Sequence, residues 1–357
     1  MSAAWVVFVL VTSRVLTTGA RFAHGLAAAT RRPTRFVWLG AMILTATWPL
    51  VALEMLRVAR NFPGFAARWS AGEPRYVGLV ALALPSGDVE RWLETALLAV
   101  WSAASAILLG RLMMNTVAAY RWRRALPLAV VDGVLVRMSA DAGPALAGLL
   151  QMEVVLPGWV RELDVPTQRL VVGHELAHRS ARDPWLLWTA ALLTALVPWN
   201  PLLWWQASRL RLAIESDCDA RVLRGGVRPS EYARLLLHIA ERTVTVPRLA
   251  PALVSGATHL EYRIAAMSRD ATWVSAWRRA MYALAVTAAV LLALVLRAPE
   301  LPGALTATHS DVFAPSPIVP ATFVPLRYDT HGSLVVARGH SIGRVVRMLV
   351  ERNQEVR

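Results

Sequence analysis

The chain has 357 residues, of which 56% are hydrophobic and only 17% charged, against about 25% charged in soluble domains; with its apolar residues gathered in runs, it is neither disordered nor a single oily globule. All 38 basic residues are arginine and the formal net charge is +14; the absence of lysine excludes a P-loop, a protein-kinase site, a Ser-x-x-Lys acyl-enzyme and Schiff-base catalysis. The single cysteine, Cys218, excludes an intramolecular disulfide.

Four apolar stretches read as membrane spans. The first, Ala3 to Leu26, is interrupted by Arg14 and Arg21 and lacks the basic n-region of a signal peptide, so no cleavage is expected. Phe36 to Leu53 is uncharged and long enough to cross ~30 Å of hydrocarbon. Trp92 to Met114 follows, with Arg91 and Arg111 able to snorkel. Met281 to Leu296 is bracketed by Arg278, Arg279 and Arg297. If all four cross, three arginine clusters (Arg31, Arg32 and Arg35; Arg121, Arg123 and Arg124; Arg278 and Arg279) share one side, which the positive-inside rule makes the cytoplasm. The charge therefore suits an anionic membrane surface, and no nucleic-acid partner is expected.

The expected organisation is three spans over 1–114 with an outer loop at about 57–91, a cytoplasm-facing domain over 115–279, a fourth span over 280–297 and an outer tail over 298–357. The domain opens with two β-branched pieces, Leu126 to Val136 and Met152 to Leu156, separated by the turn-forming Ser139 to Gly143, which read as a strand pair. Helical patterns cover Val165 to Arg179, Ala207 to Leu223 and Ser230 to Thr243, with Gly225-Gly226 as a stop and Ser230 as an N-cap. The tail is Pro-rich, then suggests a strand at Ser333 to Ala337 and a basic helix around Ile342 to Glu351.

The residues that carry chemistry are His174-Glu175-Leu176-Ala177-His178. On a helix, positions four apart share a face, so both imidazoles reach one ion, and Glu175 lies where a carboxylate can take a proton from water on that ion. A catalytic zinc, one per chain, wants a third protein ligand. Glu215 is the candidate, with Asp217 and Cys218 as competitors, and Asp219, one turn on, is placed to hydrogen-bond a ligand histidine. Asp183 could orient a ligand or simply end a helix. Tyr232 and His238 are candidates for oxyanion stabilisation. If His178 and Glu215 share an ion, the apolar run Pro184 to Trp205 between them cannot cross the membrane; Pro198, Asn200 and Pro201 break it, so 184–206 reads as a re-entrant or interfacial hairpin.

Taken together these residues resemble the membrane zinc metallopeptidase family of the BlaR/MecR antirepressor type. The resemblance rests on Gly143 to Gly148 (GPALAG), Val154 to Val160 (VVLPGWV), His174 to Asp183 (HELAHRSARD), Asn200-Pro201, Glu215 to Leu223 (ESDCDARVL), Glu231 to Leu237 (EYARLLL) and Leu260 to Met267 (LEYRIAAM). It implies a mainly α polytopic membrane protein with a small α+β gluzincin-like metallopeptidase domain, zinc at His174, His178 and Glu215, and Glu175 as general base. The antirepressors carry a penicillin-binding sensor with a Ser-x-x-Lys nucleophile after the last span; residues 298–357 hold no lysine, so neither that sensor nor repressor cleavage is expected here. The expected activity is zinc-dependent endopeptidase action in the cell membrane, in the setting of signal-triggered regulatory proteolysis. The expected partners are the bilayer, a protein or peptide substrate such as a cytoplasmic regulator, and a second copy in a homodimer. A substrate would add to an edge strand near Val154 to Leu156. The alternatives are a non-catalytic transmembrane signalling scaffold and a membrane gluzincin of the CAAX-prenyl-protease or HtpX kind.

Overall fold

A computed structural model describes residues 3–61, 88–140, 142–243, 256–268 and 275–296. The expected tail, with its strand and basic helix, and residues 62–87 of the expected outer loop lie outside the described residues. Four helices are long and apolar enough to cross a membrane: α1 (Ala3–Ala29), α2 (Arg35–Asn61), α3 (Asp88–Ala125) and α9 (Ala276–Val295). Each coincides with a span read from the sequence. Helix α3 has 38 residues, or about 57 Å at 1.5 Å per residue, against about 30 Å of hydrocarbon. It therefore continues well past Met114, through Arg121 to Arg124. Helices α1 and α9 run antiparallel and close together, because Gly19 faces Ala289 and Gly25 faces the ring of Tyr282; a Cβ on Gly25 would lie 3.1 Å from that ring. Small residues let apolar helices approach in this way.

A four-stranded sheet follows α3, built from β1 (Leu128–Val131), β2 (Val134–Ser139), β3 (Ala145–Ala147) and β4 (Glu153–Pro157), in the order β1-β2-β4-β3. The first β-branched piece is thus a hairpin of its own rather than one strand of a pair. Asp132 and Gly133 both take positive φ (47° and 74°), the two-residue turn that matches strand twist. Strand β4 pairs parallel with β2 and antiparallel with β3, so Val154 to Leu156 is interior, and the sheet edges are β1 and β3. The reason lies in the side chains: Val154, Val155 and Leu156 are all fully buried, and a strand covered on both faces is an unbroken apolar run. Arg123, counted by charge as a membrane-surface residue, is instead buried, donating to the Gln151 carbonyl and pairing with Glu153 at 3.0 Å.

Helix α4 (Val165–Ala181) starts at Asp164, whose side chain accepts from Thr167 N, and stops at Arg182, which takes a left-handed φ of 54°. The chain re-enters a helix at once in α5 (Asp183–Leu196), turns at Val197 to Asn200 and returns as α6 (Pro201–Leu223). Fourteen residues in α5 span about 21 Å, too short to cross. The second helix of this hairpin begins at Pro201, earlier than the sequence suggested, because Asn200 caps it by accepting from Leu202 N. Asn200 also donates to Ser13 Oγ at 2.9 Å, and Gln206 donates to Thr17 and Thr45. Buried amides need such partners, so these bonds seat the hairpin on α1 and α2 in one register. Helix α7 (Pro229–Thr243) begins at Arg228, whose carbonyl accepts from Glu231 N and Tyr232 N. Pro229 therefore takes the first helical position, where its missing N–H costs nothing, and Ser230 lies inside the first turn instead of capping it. Helix α8 (Gly256–Ser268) is the last before α9.

Two apolar cores result. One joins the sheet to α4 and α7 through Val136, Val154, Leu156, Val171, Val172 and Leu235. The other joins α1, α2, α5 and α6 through Trp38, Met42, Ala190, Leu203, Leu210 and Ile214. The link between α3 and the sheet depends on Gly148, at φ +98°, where a Cβ would collide with the Gln151 carbonyl oxygen and press on the Arg123 guanidinium. Gly148→Ala is expected to lower stability by about 1–3 kcal/mol. Gly133→Asn, at an open left-handed position, is expected to stay within about 0.5 kcal/mol. Melting midpoints of the purified chains check both.

Candidate metal centre

Helix α4 carries His174 and His178 on one face, and α6 brings Glu215 up to them. The two Nε2 atoms lie 3.2 Å apart. Glu215 places one carboxylate oxygen 3.8 Å from His174 Nε2 and the other 3.8 Å from His178 Nε2. The hairpin α5–α6 makes this possible by returning the chain to the end it left.

The outer nitrogens of both rings are committed. Asp183, 1% exposed, accepts from His178 Nδ1 at 2.8 Å. Tyr232 donates its hydroxyl proton to Asp219 at 2.8 Å, so the same oxygen accepts from His174 Nδ1, also at 2.8 Å. A phenol has a single proton to give, which fixes both histidines as Nδ1–H tautomers with Nε2 facing inward. Burial, then the charge of Asp219, holds the Tyr232 hydroxyl well above its usual range, so it stays a donor.

Two bare lone pairs at 3.2 Å, beside a carboxylate, call for a cation between them. Without a metal, one proton does this work. Burial opposes charge on His178, but its hydrogen bond to Asp183, the nearby Cys218 sulfur and the charge of Glu215 prevail and push it up to about 11. Burial and the charge of His178 hold His174 well below its usual value. The donor set also fits a zinc ion. Arms of about 2.0–2.1 Å in a tetrahedron put ligand atoms about 3.3 Å apart, close to the 3.2 and 3.8 Å found.

Glu175 is buried, and that burial raises its carboxyl to about 7, with the His178 charge opposing and the Glu215 charge assisting. Cys218 is buried and, among the described residues, forms a group with His174 and His178 whose donor atoms lie within 4.8 Å of one another. Its Sγ sits on the outer side of His174, 3.4 Å from Nδ1 and 3.5 Å from the carbonyl oxygen.

Several expectations need correction. Among the described residues Asp219 bonds no histidine; it accepts from Tyr232 and from both Nε and Nη2 of Arg263. Asp183 does bond one, and it also pairs with Arg221 at 3.1 Å and Arg35 at 3.6 Å. Tyr232 is fully buried with its hydroxyl spent on His174 and Asp219, so it has no donor left for an oxyanion. His238 stands edge-on to Trp159 in the sheet-side core, and is not among the residues that meet at His174. Asp217 turns away: its two oxygens accept from Thr34 N, Thr34 Oγ1 and Arg35 N at the start of α2.

Three arginines escaped the sequence reading. Arg263 bridges Glu215 (3.0 Å) and Asp219 (2.7 Å), and only its place in the Leu260 to Met267 pattern could have flagged it. Arg221 lies one turn after Asp217. Arg35 had been read as a topology marker, yet it is buried between Asp183 and Asp217.

Residues 88–267, half of the chain, match the family described as BlaR1 peptidase M56, and the chain belongs to that family of membrane metallopeptidases. No curated protein matches the chain.

Removing a buried carboxylate that faces His178, Arg221 and Arg35 takes a counter-charge from all three, leaving Arg35 with Asp217 and His178 with Glu215. Asp183→Ala is therefore expected to destabilise the metal-free protein by about 3–5 kcal/mol, read as a large fall in melting midpoint. A change no greater than that of an exposed substitution such as Glu231→Ala would contradict this role.

Proposed function

We propose that the chain is a multi-pass zinc endopeptidase of the cell membrane that hydrolyses a peptide bond with water. The observation that carries this reading is the convergence of His174 Nε2, His178 Nε2 and the Glu215 carboxylate within 3.8 Å, with both Nδ1 atoms already engaged elsewhere. These three residues would hold one zinc, and Cys218 stays outside the set as a packing neighbour of His174. A zinc bound there supplies an activated water and a Lewis acid for the scissile carbonyl.

The chain's own residues do the remaining work. Glu175 accepts a proton from water at its carboxylate and returns it to the leaving amine; its burial, which raises the carboxyl to about 7 in the metal-free chain, favours taking up that proton. Asp183 and the Tyr232–Asp219 pair keep the imidazoles in the ligating tautomer. Arg263 holds Glu215 and Asp219 in register on α6. An extended substrate adds to the open edge at β3, which contacts α4.

The proposed organisation follows the spans: membrane helices over 1–114 and 280–297, the peptidase domain over 115–279 and the tail 298–357 outside. With buried Arg35 and Arg123 set aside, the remaining arginines of the three clusters, Arg31, Arg32, Arg121, Arg124, Arg278 and Arg279, favour a cytoplasmic side for the peptidase. The hairpin 184–206 dips into the interface without crossing, which fits the about 21 Å length of α5 and its tryptophans. Regulatory proteolysis of a cytoplasmic protein, in a monomer or a homodimer, is the setting this arrangement suits.

Glu175→Gln removes the proton acceptor and leaves the three proposed ligands intact. It is expected to retain zinc and lose at least about 10²-fold of peptide cleavage, measured by mass spectrometry on a peptide library with metal content determined in parallel. Cleavage unchanged with zinc retained would contradict the mechanism.

A further inference from the structure

A second polar feature lies on another face of α6. A cavity of about 230 Å³ is lined by Arg21 and His24 of α1, Trp38 of α2, Arg209, Leu212, Ala213 and Ser216 of α6, and Tyr262 of α8. It is far larger than the ~30 Å³ share of one water and short of the roughly 300–1,000 Å³ of sites for whole drug-sized ligands. Its size suits a small charged group.

Its polar lining is made of donors. Arg209 lies over the Trp205 ring at 4.9 Å, and among the described residues no carboxylate pairs with Arg209 or with Arg21. His24 Nδ1 accepts from Trp38 Nε1 at 3.2 Å, which leaves the N–H of the neutral ring on Nε2. Ser216 Oγ is buried without a hydrogen-bond partner. The neighbouring carboxylate, Asp217, spends its hydrogen bonds on Thr34 and Arg35 at the start of α2 and reaches this lining only through its charge, felt at His24. Two guanidinium groups, an imidazole N–H and an unpaired hydroxyl around one space form a receptor for an anion with several acceptor oxygens.

The position narrows the anion further. Arg21 lies in the candidate span Trp5–Ala29, eight residues, about 12 Å, from its arginine-rich end. A guanidinium at that depth is costly unless it snorkels to an anionic partner. We propose that this cavity binds a phosphate group, carried by an anionic phospholipid headgroup or present as a free ion, and thereby fastens α1 to α6 beside Glu215.

The test uses the full chain, purified and delipidated in neutral detergent. Native mass spectrometry follows titration with dihexanoylphosphatidylglycerol, with dihexanoylphosphatidylcholine and with inorganic phosphate. Single-site saturable binding of phosphatidylglycerol or of phosphate is expected, weakened at least about tenfold in Arg21→Gln/Arg209→Gln. Phosphatidylglycerol binding that phosphate does not displace assigns the headgroup as source; phosphate binding that displaces the lipid assigns the free ion. Ser216→Ala keeps every charge and is expected to weaken binding about three- to tenfold, which covers the case in which the double variant fails to fold. Arg121→Gln/Arg124→Gln removes the same charge from exposed positions on α3 and is expected to bind like wild type. Equal binding of phosphatidylcholine and phosphatidylglycerol in every variant, no loss in Ser216→Ala and the double variant, or an equal loss in the α3 control would overturn the proposal.

Discussion

Two imidazole Nε2 atoms held 3.2 Å apart are the constraint on which the rest of the site depends. Lone pairs at that distance repel unless a proton or a metal lies between them, so the surrounding residues must hold the rings against that repulsion. Asp183 does this for His178, and Tyr232 with Asp219 does it for His174. Each of these supports is supported in turn, by Arg221 and Arg35 on one side and by Arg263 on the other. In a low-dielectric interior the bonds of such a network polarise and strengthen one another. Replacing any one residue therefore disturbs several others.

Helix α6 is the element that integrates the structure. Its first half is pinned in the helical membrane bundle by Asn200, Gln206 and the apolar contacts of Leu203, Leu210 and Ile214. Its second half sends neighbouring side chains in different directions: Glu215 to the histidines, Ser216 to the cavity, Asp217 to the N-terminus of α2, and Asp219 to Tyr232 and Arg263. Asp217 and Arg35 make the α1–α2 turn part of the environment of His178, through Asp183. A displacement of the first two membrane helices thus acts directly on the carboxylate that fixes the tautomer of His178.

What the sequence made legible follows its periodicities. The four spans are long single-character runs, and the pair His174 and His178 is separated by one helical turn, so both were readable from local spacing. Glu215 was readable because an acidic cluster stands out in an apolar chain, and the breakers Pro198, Asn200 and Pro201 forced a return. Contacts between distant elements left no such trace. Asp219 was assigned to a histidine that Tyr232, from the next helix, actually reaches. Asp183 looked like an ordinary helix-terminal acid because its cationic partners come from α2, α4 and α6. Arg35 and Arg123 were counted for their charge, and a charge count carries no information about burial. The Asp132-Gly133 turn was present as a dipeptide signal, but the continuous apolar run around it masked the hairpin and, with it, the interior position of Val154 to Leu156.

The central claim is that two imidazoles and the Glu215 carboxylate, without Cys218, hold one zinc ion. Zinc K-edge X-ray absorption on the purified full chain tests it most directly. The account predicts about one zinc per chain with nitrogen and oxygen neighbours at about 2.0–2.2 Å, imidazole scattering from two rings and no sulfur shell. A sulfur neighbour at about 2.3 Å would place Cys218 on the metal and contradict the account, and so would a folded chain that takes up no zinc.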